Sequence, residues 1–190
     1  MYFVMTFDRG FPKPAMLTVP VKIPGFDSLV FDKGIRLKEK IPVFDLEIDE
    51  KGQGTLTDYL WTTLRGLTIS AKFKEVLDKS GVDNVDYYPV RIVNQVTKQV
   101  RKDYYEANII GLISCLDREK SEIEASPVNP RMIRGIPKMV LDEKRITGEL
   151  LFRLQEVKGI IIAHERVKKA VEKAKLTGVV FPPIKDYNWP

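Results

Sequence analysis

The chain is 190 residues long, with 44% hydrophobic and 30% charged residues, a balance that excludes both a disordered tail and a membrane-embedded protein. Its 31 lysines and arginines against 26 acids give a net charge of +5, compatible with an acidic partner but mild for a dedicated nucleic-acid binder. A single domain over 1–190 is expected, because a chain of this size buries roughly 70% of its unfolded surface.

The first nine residues, Met1 to Arg9, reach an acid at Asp8 and carry neither the basic start nor the apolar stretch of a signal peptide. The apolar run Ile109-Ile110-Gly111-Leu112-Ile113 is far below the ~20 residues of a membrane helix. Cys115 is the only cysteine, which suits a reducing compartment. A cytoplasmic protein with no membrane segment is therefore expected.

Residues 1–66 are rich in proline (Pro12, Pro14, Pro20, Pro24, Pro42) and carry turn signals at Asp32-Lys33-Gly34 and Asp49-Glu50-Lys51-Gly52. Proline removes a ladder donor, so short or edge strands joined by turns are predicted, at 2–7, 28–31 and 42–48. A helix is predicted over about 71–80, with Ser70 as N-cap, an apolar face of Phe73, Val76 and Leu77, and Gly81 as its stop. Strands follow over Val85–Val93 and over Tyr104–Leu116, the second apolar on both faces and hence central.

Residues 119–130 are polar and end in Pro127 and Pro130, which predicts a loop. Strands are then expected at 131–141 and 150–154, separated by Asp142-Glu143-Lys144 and Gly148. Gly159-Ile160-Ile161-Ile162-Ala163 reads as a buried strand entering a helix over about 164–175, whose stripe is Val167, Ala170, Val171 and Ala174. The fold class is thus α+β, a mixed, mostly antiparallel sheet with two main helices behind proline-rich N-terminal strands and loops. Leu67-Thr68-Ile69 and Ile160-Ile161-Ile162 each lead through a helix to a glycine and a strand. Both are strand, helix, strand units, and duplication is one reading; matching Gly81 to Gly178 requires a gap, so shared turn chemistry is the favoured account.

Candidate chemistry is sparse. Cys115 with His164, the only histidine, would form a thiol site only if the base activated the thiolate; Cys115 in Ile113-Ser114-Cys115-Leu116 reads instead as core filling, and His164 as a residue at a helix start. One cysteine and one histidine do not make a structural zinc site. Asp45, Glu47, Asp49 and Glu50 lack calcium-loop spacing, and no nucleophile elbow, phosphate loop or dinucleotide fingerprint occurs. Neither a metal nor a cofactor is expected. Arg118, Lys120, Arg131, Arg134 and Lys138 form a basic cluster around a proline-bounded loop, without the aromatics that nucleic-acid stacking needs.

Four stretches, taken in order, carry a resemblance. They are Ser70–Leu77 with Asn84–Val90; Tyr105–Asn108 with Cys115–Ser121; Leu151-Phe152-Arg153-Leu154; and Leu176–Phe181. Residues 67–182 thereby resemble the eleventh numbered family of predicted immunity proteins of bacterial polymorphic toxins, formerly a domain of unknown function, whereas 1–66 match only loosely. The resemblance implies an α+β protein that is not an enzyme and neutralises a cognate protein toxin in contact-dependent competition. It marks Asp117, Ser121 and Arg153 as polar positions, either meeting the toxin or tying loop to sheet. With the basic loop, the partner-binding residues expected are Asp117, Arg118, Ser121, Arg131, Arg134 and Arg153. The alternatives are a nucleic-acid-binding module using 118–138 and an enzyme with an acid or Cys/His site; self-association is a further option.

Overall fold

A computed structural model describes residues 1–18, 28–38, 40–62, 64, 66–130 and 132–189. In chain order the elements are β1 (Tyr2–Phe7), β2 (Phe44–Ile48), β3 (Tyr59–Leu60), β4 (Leu67–Ser70), α1 (Ala71–Lys79), β5 (Val85–Asn94), β6 (Val100–Ile109), β7 (Leu112–Ile113), β8 (Glu122–Ala125), β9 (Ile133–Lys138), β10 (Leu151–Leu154), β11 (Ile161–His164), α2 (Glu165–Lys173) and β12 (Val179–Val180). The fold is α+β. One sheet runs β2-β5-β6-β4-β3, a second β12-β1-β11-β10-β7, and β8 and β9 form a separate hairpin. Only the β2–β5 and β7–β10 pairs are parallel.

The α1 helix forms where the sequence predicts it. Ser70 Oγ accepts from the Phe73 N–H at 3.1 Å, satisfying one of the donors left free at a helix start. Phe73 and Leu77 bury the apolar face, while Lys74 pairs with Asp78 one turn on, at 2.6 Å. The α2 helix starts the same way, with His164 Nδ1 accepting from the Arg166 N–H at 3.2 Å and Val167 and Val171 buried.

Three predictions are corrected. Residues 28–32 form a 3-10 turn, closed by the Lys33 N–H to the Val30 carbonyl at 3.2 Å; a short apolar run anchored by the fully buried Phe31 satisfies its backbone locally rather than across a ladder. The predicted 104–116 strand is two strands, because the backbone turns at Gly111, with φ +105°. There the chain leaves the first sheet and Leu112–Ile113 join the second. The polar 119–130 segment contains β8, whose partner β9 supplies its ladder. Pro20 and Pro24 lie outside the described residues.

The strand–helix–strand likeness is a structural repeat, and it needs no gap. Shifting the numbering by 94 places β4, α1 and the start of β5 on β11, α2 and β12. Each helix ends in the same hydrogen-bond pattern: Val82 N–H to Leu77 O and Gly81 N–H to Asp78 O in one, Leu176 N–H to Val171 O and Lys175 N–H to Glu172 O in the other. The positive-φ residue matching Gly81 is therefore Lys175, not Gly178. In each unit the two parallel strands flank a shared antiparallel one, β6 in the first and β1 in the second. Chain order differs, since β6 follows its unit whereas β1 comes from the opposite end of the sequence.

These matched positions build the main core. Leu67 and Ile161, Ile69 and Ala163, Phe73 and Val167, Leu77 and Val171, and Val82 and Leu176 all lie in one buried cluster. Full burial of such side chains contributes about 1.5–3 kcal/mol each. Asp58 stitches the units together: its Oδ1 accepts from the Ser70 hydroxyl at 2.7 Å and its Oδ2 from the Thr177 N–H at 2.9 Å.

Candidate functional site

The structure distributes the predicted partner-binding residues over three places. Asp117 caps the 118–121 turn, accepting from the Glu119 and Lys120 N–H groups at 3.2 Å and pairing with Lys120 Nζ at 2.7 Å. The lysine and these backbone donors hold its carboxyl below the usual range. Ser121 Oγ accepts from the Val140 N–H at 3.0 Å and donates to the Val140 carbonyl at 3.2 Å. The Ser121 side chain thus fastens the turn to the segment after β9, whereas that of Asp117 closes the turn on itself. Arg118 is exposed and lines a cavity of about 370 Å³ with Asp142, Arg145 and Glu156.

Arg134 is exposed on the β8–β9 hairpin. The hairpin's tip exposes Val128 (92%) and Met132 (59%), and its stem is held by Ile136, whose N–H donates to the Trp189 carbonyl at 2.8 Å. Arg131 lies outside the described residues.

Arg153 sits apart from both, buried to 2% exposure in β10. Its Nη1 donates to the Lys158 carbonyl at 2.8 Å, bracing the turn between β10 and β11. It forms the floor of an inner cavity of about 160 Å³ that Tyr59, Trp61, Gly66 and Gly159 help to line. This cavity shares Tyr59, Trp61 and Gly159 with an outer cleft of about 500 Å³, walled also by Phe7, Arg9 and Trp189. Phe7 and Tyr59 meet edge to face, centroids 6.2 Å apart, and half of the Trp61 surface is exposed. The cleft is the aromatic-rich concavity that the sequence did not announce: its walls come from β1, β3, the β10–β11 turn and the C-terminal segment. The one available signal was Trp61, an aromatic next to a short strand in polar surroundings.

Behind Gly66 lies Glu106, fully buried in β6. Its Oε2 accepts from the Thr68 hydroxyl at 2.7 Å, while its Oε1 has no hydrogen bond among the described residues. Burial pushes its carboxyl up to about 7, partly opposed by Thr68 and by the Arg153 charge. A Cβ on Gly66 would stand 2.2 Å from that Oε1, so glycine is the residue that admits the buried carboxyl.

The surroundings of Cys115 and His164 do not favour the alternative of a thiol site. Cys115 is buried among Val4, Leu116 and Phe152, and burial pushes its thiol up to about 12, opposite to the shift an activated thiolate requires. His164 Nδ1 is occupied by the α2 cap. No cluster of three or more His, Cys, Asp or Glu side chains arranged to hold a metal occurs among the described residues, and none of the helices described is long and apolar enough to cross a membrane.

The Immunity protein family (Imm11) matches residues 7–186, and the chain belongs to that family. The match takes in most of the proline-rich N-terminal third, beyond the 67–182 that the motifs alone mark out. No curated protein matches the chain.

Proposed function

We propose that this protein binds a cognate protein toxin and neutralises it by protein–protein contact in the cytoplasm. Family membership over residues 7–186 carries the reading. The buried high-pKa Cys115 and the cap role of His164 are in keeping with a protein that acts by contact rather than through thiol chemistry. The net charge of +5 argues against phosphate mimicry and for an acidic or apolar toxin surface. Two faces are available for contact: the hairpin side with Asp117, Arg118, Ser121 and Arg134, and the aromatic cleft with Arg153 at its floor.

Co-expression with the toxin encoded by the neighbouring gene tests the proposal. Growth is restored and the two proteins co-purify as a stoichiometric complex. Continued killing, with no complex, would rule the pairing out.

A further inference from the structure

We infer that the aromatic cleft beneath Trp61 is the toxin-binding site, and that it receives a protruding toxin segment in which an acidic side chain adjoins an apolar one. The inference rests on the immunity reading and adds to it the surface and the chemistry of the occupant.

Shape limits what the cleft can hold. A concavity of about 500 Å³ that shares Tyr59, Trp61 and Gly159 with a second of about 160 Å³ accepts a loop or an extended segment, not a flat face. Its walls are of the residue types that dominate interface energetics, tryptophan, tyrosine and arginine, set in a pocket that excludes water around an inserted side chain. Trp61, Tyr59 and Trp189 offer large rigid surfaces that lose little conformational entropy on contact.

Charge then selects the occupant. Among the described lining residues of both cavities the charged side chains are Arg9 at the mouth and Arg153 at the floor, and none is acidic. Elsewhere on the surface some cations have acidic neighbours, as in Lys74–Asp78, Arg91–Asp45 and Lys120–Asp117. An aspartate or glutamate entering the mouth meets the Arg9 guanidinium beside apolar walls, where a charge-assisted hydrogen bond is stronger than in open water. An apolar neighbour fills the space beside Trp61 and Tyr59. The hairpin side has the opposite character, because the cavity next to Arg118 mixes Arg145 with Asp117, Asp142 and Glu156.

The test uses the purified toxin domain encoded beside this gene and titration calorimetry against three variants. Arg9→Glu weakens binding about tenfold or more, and Trp61→Ala about thirtyfold, as expected for a rim charge and a central aromatic. Arg118→Glu combined with Arg134→Glu changes the affinity less than about threefold. Arg9 and Trp61 are exposed, and unchanged thermal unfolding confirms that the variants fold. A matching charge reversal in the toxin that restores affinity to Arg9→Glu identifies the acidic partner residue. Cleft variants that bind like the wild type, or loss of binding in the Arg118/Arg134 variant instead, overturn the inference while leaving the immunity reading in place. So does Trp61-dependent binding of a single-stranded oligonucleotide at physiological salt, which would make the cleft a base-stacking site. Wild-type protein that neither binds the toxin nor protects would remove both readings.

Discussion

Lys175 occupies in the second strand–helix–strand unit the place that Gly81 takes in the first: each follows its helix with positive φ, +52° and +83°, and each donates its N–H to the third residue back. A left-handed conformation suits glycine and costs a side-chain-bearing residue about 1 kcal/mol.

That equivalence makes a directional prediction. Lys175→Gly raises stability by about 0.5 kcal/mol, the relief of strain exceeding the added freedom of the unfolded chain, whereas Gly81→Ala lowers it by about 1 kcal/mol. Urea unfolding of both variants measures the pair. Changes of opposite sign at a shared position support the repeat; a destabilised Lys175→Gly would show that the lysine stem contributes more than its backbone costs.

Asp58 links segments far apart in sequence, receiving Ser70 on one oxygen and Thr177 on the other. Asp58→Ala should cost about 2–3 kcal/mol, because it leaves several donors without an acceptor at once. Asp58→Asn keeps one acceptor and should recover roughly half of that loss. Chemical denaturation distinguishes the two, and equal losses would show that the carboxylate charge, not the acceptor geometry, matters.

The buried Glu106 predicts a pH dependence of definite sign. Its folded value, about 7, lies above the ~4.3 of an unfolded glutamate, so between these values the folded state holds a proton that the unfolded state has released. Stability from this group is therefore greatest at acid pH, falls as pH rises from about 4 to 7, and is lost in full above that, by roughly 3–4 kcal/mol. The difference between wild type and Glu106→Gln isolates it, since the surface acids held low by Lys79, Lys120 and Lys169 are common to both. A flat difference from pH 4 to 8 would mean that the carboxyl ionises freely in the fold.

Cys115 should resist thiol reagents. A buried thiol pushed up to about 12 is neither ionised nor accessible at pH 8, so labelling follows unfolding alone. Rapid modification of the native protein would contradict this burial. Cys115→Ala is expected to retain protection against the toxin.

Much of the fold was legible because local rules sufficed. The Ser70 cap, the Phe73–Val76–Leu77 stripe and the Gly81 stop are all properties of neighbouring residues, and the same holds for β1, β5 and β11. What escaped depends on distant partners. Residues 122–125 look like loop until β9 pairs with them, and 28–31 look like strand until the local hydrogen bond of a 3-10 turn closes. The repeat was visible but misaligned, because a lysine holds a conformation that sequence reading reserves for glycine. The site was least legible. Asp117 bonds within its own turn and Ser121 to Val140, while the cleft assembles Arg9, Trp61 and Trp189 from separated segments.

The insertion of β1 between β11 and β12 has a consequence for how the protein is made. β1 leaves the ribosome well before its ladder partners β11 and β12, so its buried Phe3, Val4 and Met5 remain without a sheet until those strands have been made. The first unit, by contrast, has β3 to β6 in sequence order and assembles from local contacts, which close faster than distant ones. A product that stops short of Val180 leaves β1 without one of its ladder partners, the kind of exposed edge that aggregates or is degraded, so closing the second sheet depends on synthesis having reached β12.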